Sequence, residues 1–161
     1  MTMMMDAAQT EPAMQAGVAQ FAQPSNSYQI KRAGNRPLRF DGSELAMAMS
    51  YTPAIPYWYE INLYRTTQQG FVAAIRLFYQ AEDQQDTVRA WEAATLDEAI
   101  ELLLTYDAAQ DVPLGVEFNL ATAPASETGA LALQLLARIS DVRQHYGSLI
   151  GEFLYDLENG Q

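Results

Sequence analysis

The stretch YEINLYRTTQQGFVAAIRLFYQ, residues 59 to 80, alternates apolar and polar positions, breaks at a polar patch ending in Gly70, and alternates again. A period of two is the signature of strands, and two such runs around a short polar break describe an antiparallel β-hairpin. Tyr57, Tyr59, Ile61 and Leu63 then share a face with Phe71, Ala73, Ile75, Leu77 and Tyr79, and this odd-numbered face is expected to be the core. The even-numbered face is mixed, with Trp58, Glu60, Asn62 and Tyr64 beside Val72, Ala74, Arg76 and Phe78. Facing side chains must point the same way, which leaves two registers. One sets Trp58 opposite Phe78 and Glu60 opposite Arg76 around a five-residue loop. The other is shifted, with a three-residue loop and Gly70 in the left-handed position.

Upstream, Tyr28 to Arg32 reads as a short strand, followed by the turn signal Ala33-Gly34-Asn35. A further alternating run is expected to break at a turn or bulge near Asp41-Gly42. Beyond it, Leu45, Met47 and Met49 fall on one side and Ala46, Ala48 and Ser50 on the other, and a short helix over residues 43–49 competes with the strand. Downstream, residues 87–92 read as another strand. Thr95 with Glu98 three residues later is a capping box, opening a helix over residues 95–106 with the apolar stripe Leu96, Ala99, Ile100, Leu103 and Leu104. A short extended piece is expected at residues 116–120. The last helix is expected over residues 126–157. Leu135, Ile139, Val142, Tyr146, Leu149 and Phe153 recur along it at spacings of four and three, a heptad seam. Gly147 and Gly151 interrupt it one turn apart.

The fold class that follows is α+β: an antiparallel meander of about four or five strands, with a short capped helix and a long C-terminal helix on one face. Residues 1–27 read as a disordered leader with no basic n-region, hence no secretory signal, and residues 28–161 as one domain. No run of apolar residues is long enough to span a membrane, so no membrane association is expected, and a cytoplasmic location is.

Composition narrows the chemistry. The chain has no cysteine, one histidine (His145) and one lysine (Lys31). Thiol chemistry is excluded, and Schiff-base chemistry has a single candidate. A serine nucleophile would have to use His145 as its base, and no Gly-x-Ser-x-Gly elbow is present. Glu82, Asp83 and Asp86 share a loop but lack the alternate ligand spacing and glycine of a calcium loop. No catalytic residue, cofactor or metal is therefore expected, and the chain reads as a non-enzyme.

Net charge is −11 but uneven. Residues 81–120 hold ten acids and one arginine, whereas Lys31, Arg32, Arg36 and Arg39 gather at residues 28–40 without an acid. The acidic stretch opposes non-specific phosphate binding, so nucleic acid is an unfavoured partner. The leading functional expectation is a small acidic, non-catalytic protein-binding, adaptor or regulatory module of bacterial type. Its partner is expected to be a protein, basic if Glu82, Asp83 and Asp86 form the contact. A second reading is an acidic nucleic-acid mimic of the anti-restriction or anti-CRISPR kind, inhibiting a nucleic-acid-binding protein. A third is a single-strand binder stacking bases on Trp58, Tyr64 and Phe78 beside Arg76. These rings are expected to lie under a second layer, either the terminal helix or a partner subunit. A homodimer is expected along the terminal helix, through Leu135, Ile139, Val142, Tyr146, Gly147, Leu149, Gly151 and Phe153.

Overall fold

In a computed structural model that describes residues 24–112 and 124–160, the chain forms one five-stranded antiparallel sheet in sequence order. The strands are β1 (Asn26–Arg32), β2 (Asn35–Met49), β3 (Tyr57–Thr66), β4 (Phe71–Tyr79) and β5 (Thr87–Ala93). Helix α1 (Leu96–Thr105), a 3-10 turn at Ala108–Asp111 and helix α2 (Ala125–Asn159) follow. The α+β meander is thus observed. Asn26 and Ser27, read above as leader, already pair with β2. Residues 116–120 and 1–23 lie outside the described residues.

The central hairpin takes the register with Glu60 opposite Arg76 and Trp58 opposite Phe78. Its turn is closed by Thr66, whose N–H donates to the Gly70 carbonyl and whose Oγ1 accepts from the Gly70 N–H at 3.0 Å. The left-handed residue is Gln69, with φ of 65°, not Gly70.

The odd-numbered face is the main core. Tyr59, Ile61, Leu63, Ala73, Ile75 and Leu77 pack against Ala99 and Leu103 of α1 and Val142, Tyr146, Leu149, Ile150 and Phe153 of α2. Each large side chain buried there is worth roughly 1.5–3 kcal/mol of transfer free energy, which is what fastens both helices to this face. Helix α1 begins with one half of its capping box. Thr95 Oγ1 accepts the Glu98 N–H at 3.2 Å, and the Glu98 carboxylate reaches back to the Ala94 N–H rather than to Thr95 itself.

Strand β2 departs from the sequence reading. It is one continuous strand of 15 residues, neither broken at Gly42 nor helical over residues 43–49. Its first part pairs only with β1, and its second part, from Gly42 on, pairs with β3. The β1–β2 hairpin is therefore an arm that extends past the β3–β4 turn. It folds back over the even-numbered face, where Ile30 and Leu38 are buried against Tyr64, Val72, Ala74 and Ala90. The arm is tied to β5 at its tip: the Ala33 N–H donates to the Val88 carbonyl at 3.2 Å and Arg32 donates to the Ala90 carbonyl at 3.4 Å.

Gly42 sits where the arm leaves the sheet. A Cβ there would lie 2.1 Å from the Arg65 carbonyl oxygen, so this close backbone approach admits only glycine. A bulge between Glu44 and Ala46 then shifts the register by one. It turns Ala46 and Ala48 onto the core face under the helices and sends Met47 and Met49 to the other face.

Helix α2 is unbroken through Gly147 and Gly151 and about 52 Å long at 1.5 Å per residue. Val142, Tyr146, Leu149 and Phe153 of the heptad seam are buried in the chain's own core. This corrects the seam as a dimer surface, because those four side chains are not available to a second copy. Leu135 and Ile139 are half-buried, and Gly147 and Gly151 are exposed with nothing within 4 Å of where a Cβ would stand.

Candidate functional site: an open aromatic and methionine platform

The registers lay the even-numbered face out as a grid. Met47, Asn62, Ala74 and Ala90 form one row across β2 to β5; Met49, Glu60, Arg76 and Val88 form the next; Trp58 and Phe78 follow, with Tyr51 beside Trp58. The arm covers the end of the grid nearest Tyr64 and runs on over Ala74 and Ala90 towards β5. At the Tyr64 end, Tyr28, Phe40 and Tyr64 make an internal aromatic cluster, with Tyr64 4.7 Å from Tyr28 and 5.3 Å from Phe40.

The other end is open. Met47 is 50% exposed, Met49 47% and Tyr51 53%. Trp58 and Phe78 are half-buried and stack at 5.3 Å, while Tyr51 meets Trp58 edge-on at 5.1 Å. In the middle, Arg76 donates to Glu60 at 2.9 Å, and both side chains are partly exposed. In the floor, the Asn62 amide donates to Glu44 at 3.2 Å, but Asn62 Oδ1 is buried without a partner.

Of the residues expected on this surface, Trp58, Arg76 and Phe78 are brought together and Tyr64 is not, because it is 2% exposed beneath the arm. The layer that covers Tyr64 is the chain's own β1–β2 hairpin, not the terminal helix or a partner. Met47, Met49 and Tyr51 were missed, since only the bulge at Leu45 decides which face the methionines take. The two alanines at positions 46 and 48 were the available signal: small residues suit the side that lies under a helix.

The acidic stretch does not form one surface. Glu82, Asp83 and Asp86 are exposed in the turn before β5, whereas Glu92, Asp97, Glu98 and Glu101 lie at its far end and on α1. A seven-residue strand separates the two groups by roughly 20 Å. Asp107 is engaged by Arg143 at 2.7 Å, and hydrogen bonds from that guanidinium and from the Ala109 N–H hold its carboxyl down at about 2.

Asp111, also from that stretch, is interior. Its side chain is 1% exposed and pairs with Arg89 at 3.1 Å. It also accepts from the Tyr59 hydroxyl at 2.8 Å and the Tyr106 hydroxyl at 2.6 Å. Tyr146 packs on both tyrosine rings and donates to the Leu103 carbonyl at 2.5 Å. Burial first, and the Asp111 carboxylate second, push the phenols of Tyr59, Tyr106 and Tyr146 well above their ordinary value. Tyr57 is raised likewise by burial and by its bond to Asp141. The unfolded chain ionises these tyrosines near pH 10, whereas the folded chain keeps them protonated. Their stabilisation is therefore complete below about pH 10 and lost as pH rises above it. The denaturant midpoint is expected to fall steeply above pH 10; a flat midpoint to pH 12 would show that these phenols are not held neutral.

His145 Nε2 lies 2.6 Å from Ser50 Oγ, and Asp141 precedes it by one helical turn. The arrangement resembles a triad in composition but not in connection. The Asp141 carboxylate is bonded to the Tyr57 hydroxyl, and Ser50 Oγ accepts the Tyr59 backbone N–H at 2.9 Å where β2 ends. Burial lowers the His145 pKa against the opposing pull of Asp141. The group ties α2 to the end of β2. Among the described residues no cluster of three or more metal-ligating side chains occurs, and no helix is long and apolar enough to cross a membrane. Comparison with protein-family models, curated proteins and solved structures finds no match to this chain.

Proposed function

We propose that this chain is a non-catalytic protein-binding module whose contact surface is the open platform of Met47, Met49, Tyr51, Trp58 and Phe78 around the Glu60–Arg76 pair. The observation that carries the reading is the exposure of two methionines and a tyrosine in one patch with half-open aromatic rings. Large apolar side chains grouped at the surface, with a charged pair among them, are the composition of a protein contact site. Methionine adds adaptability, because an unbranched polarisable side chain repacks against varied partners.

The competing readings draw less support. A nucleic-acid mimic needs closely spaced acids, and here they are split between the two ends of β5, with Asp107 paired to Arg143 at the surface and Asp111 buried against Arg89. A single-strand binder needs free ring faces and free cations. Here Trp58 and Phe78 stack on each other, Tyr64 is buried, and Arg76 is paired.

Affinity capture from the native host tests this with two variants. Trp58→Ala with Met49→Lys is expected to lose the captured protein, at least about 30-fold, the cost of a hot-spot residue. Charge reversal at Glu82, Asp83 and Asp86 is expected to retain it. The opposite pattern would assign the contact to the acidic turn, and tight salt-sensitive binding of labelled single strands would assign it to nucleic acid.

A further inference from the structure

We propose that two copies of this chain pair antiparallel through the outer edge of β2, about a two-fold axis at Ala48, so that two five-stranded sheets become one. Strand β1 covers the outer side of β2 only as far as Gly42, and among the described residues no strand lies outside Ser43–Met49. The backbone alternation identifies which groups are free. The Ser50 N–H donates inward to the Tyr59 carbonyl at 2.9 Å, so Ala48 also faces β3, and Met47 and Met49 direct their N–H and C=O groups outward. Natural sheets protect such an edge with lysine, proline or cover. This one has no lysine or proline, and its single charge, Glu44, is bonded to Asn62. The bulge at Leu45 leaves Ala46–Ser50 as the regular stretch.

A second copy fits this edge in both shape and charge. With the axis at Ala48, Met47 of each copy faces Met49 of the other and can exchange two backbone hydrogen bonds, four in all. The closely approaching central pair is alanine on alanine, and Ala46 faces Ser50. No charge stands opposite a like charge. The exposed acids Glu82, Asp83, Asp86, Glu92, Asp97, Glu98 and Glu101 lie on the β5 and α1 side, across β3 and β4 from the edge. Pairing by β2 thus holds the most acidic sides of two chains of net charge −11 apart. Glu44 and Glu60 of the sheet are engaged by Asn62 and Arg76, and two further carboxylates, Asp141 and Glu152 of α2, lie beside Met49 and Ser50. Salt should therefore tighten this association, whereas it would weaken a contact made by acids on a basic partner. Dimerisation does not depend on the partner reading; it sets two platforms side by side with the methionines at the junction.

Light scattering with size exclusion at micromolar protein is the test. The expected mass is twice 17.9 kDa, falling towards one chain on dilution and rising with salt. Met49→Pro removes only an outward N–H, which an edge strand tolerates, and should give a single-chain mass with an unchanged melting temperature. Met47→Lys with Met49→Lys sets like charges opposite and should do the same, which keeps the test decisive if the proline variant unfolds. A single-chain mass for the unaltered protein overturns the proposal. So does a double mass kept by the lysine variant, or one lost only when Leu133 and Leu136, 70% and 60% exposed on α2, are changed to glutamate.

Discussion

Gly42→Ala is expected to destabilise the protein by about 3 kcal/mol or more, at the upper end of what overpacking costs. The added methyl would meet the Arg65 carbonyl oxygen at 2.1 Å and Thr66 Cα at 3.0 Å. Both are backbone atoms inside a paired strand, so no rotamer change relieves the clash. Either β2 separates from β3 at this point or the arm swings off the even-numbered face. Both routes expose Ile30, Leu38, Tyr64 and Val72, which are now 6% exposed or less. The variant should bind a hydrophobic dye and lose its denaturant midpoint. Gly34→Ala, at a turn with φ of 71° but no atom within 4 Å, should cost much less. Equal costs at the two positions would mean that the arm does not cross the sheet as described.

Asp111→Ala is expected to cost about 3 kcal/mol, because it strands the donors that converge on one buried carboxylate. Tyr59 and Tyr106 would keep their hydroxyls inside without this acceptor, and Arg89, 28% exposed, would lose its carboxylate partner and keep only Gln110 and the Tyr106 ring. The three donors come from β3, from the residue that follows α1 and from β5. The loss therefore loosens the helical layer from the sheet rather than one local contact. Asp111→Asn keeps the shape and one carbonyl acceptor and should cost about half as much. An alanine variant within about 1 kcal/mol of the parent would show that the tyrosines find water or other acceptors, and that this cluster does not hold the layers together.

Periodicity made the strands, the capped helix and the terminal helix legible, because each buries one face of a regular repeat. The odd-numbered core face of the central hairpin was readable for the same reason. What could not be read depended on contacts between elements distant in sequence. Nothing around Gly42 says that Arg65 will approach it, so the arm, and with it the burial of Tyr64, was invisible. The bulge at Leu45 is a one-residue event that inverts the faces of Met47 and Met49, and alternation alone fits either outcome. The heptad seam from Leu135 to Phe153 was real as a pattern, but a seam does not name its partner; here the sheet takes Val142 onwards. The acids of residues 81–120 are contiguous in sequence, yet β5 and α1 separate them in space and Asp111 is drawn inside.

Site-specific photo-crosslinking in the native host tests the platform most directly. A photoreactive residue placed at Tyr51, exposed beside Trp58, is compared with one placed at Asp83 in the acidic turn. The expected result is a discrete protein adduct from position 51, abolished by Trp58→Ala, and none from position 83. Adducts from position 83 alone would contradict the platform and return the contact to the acidic surface.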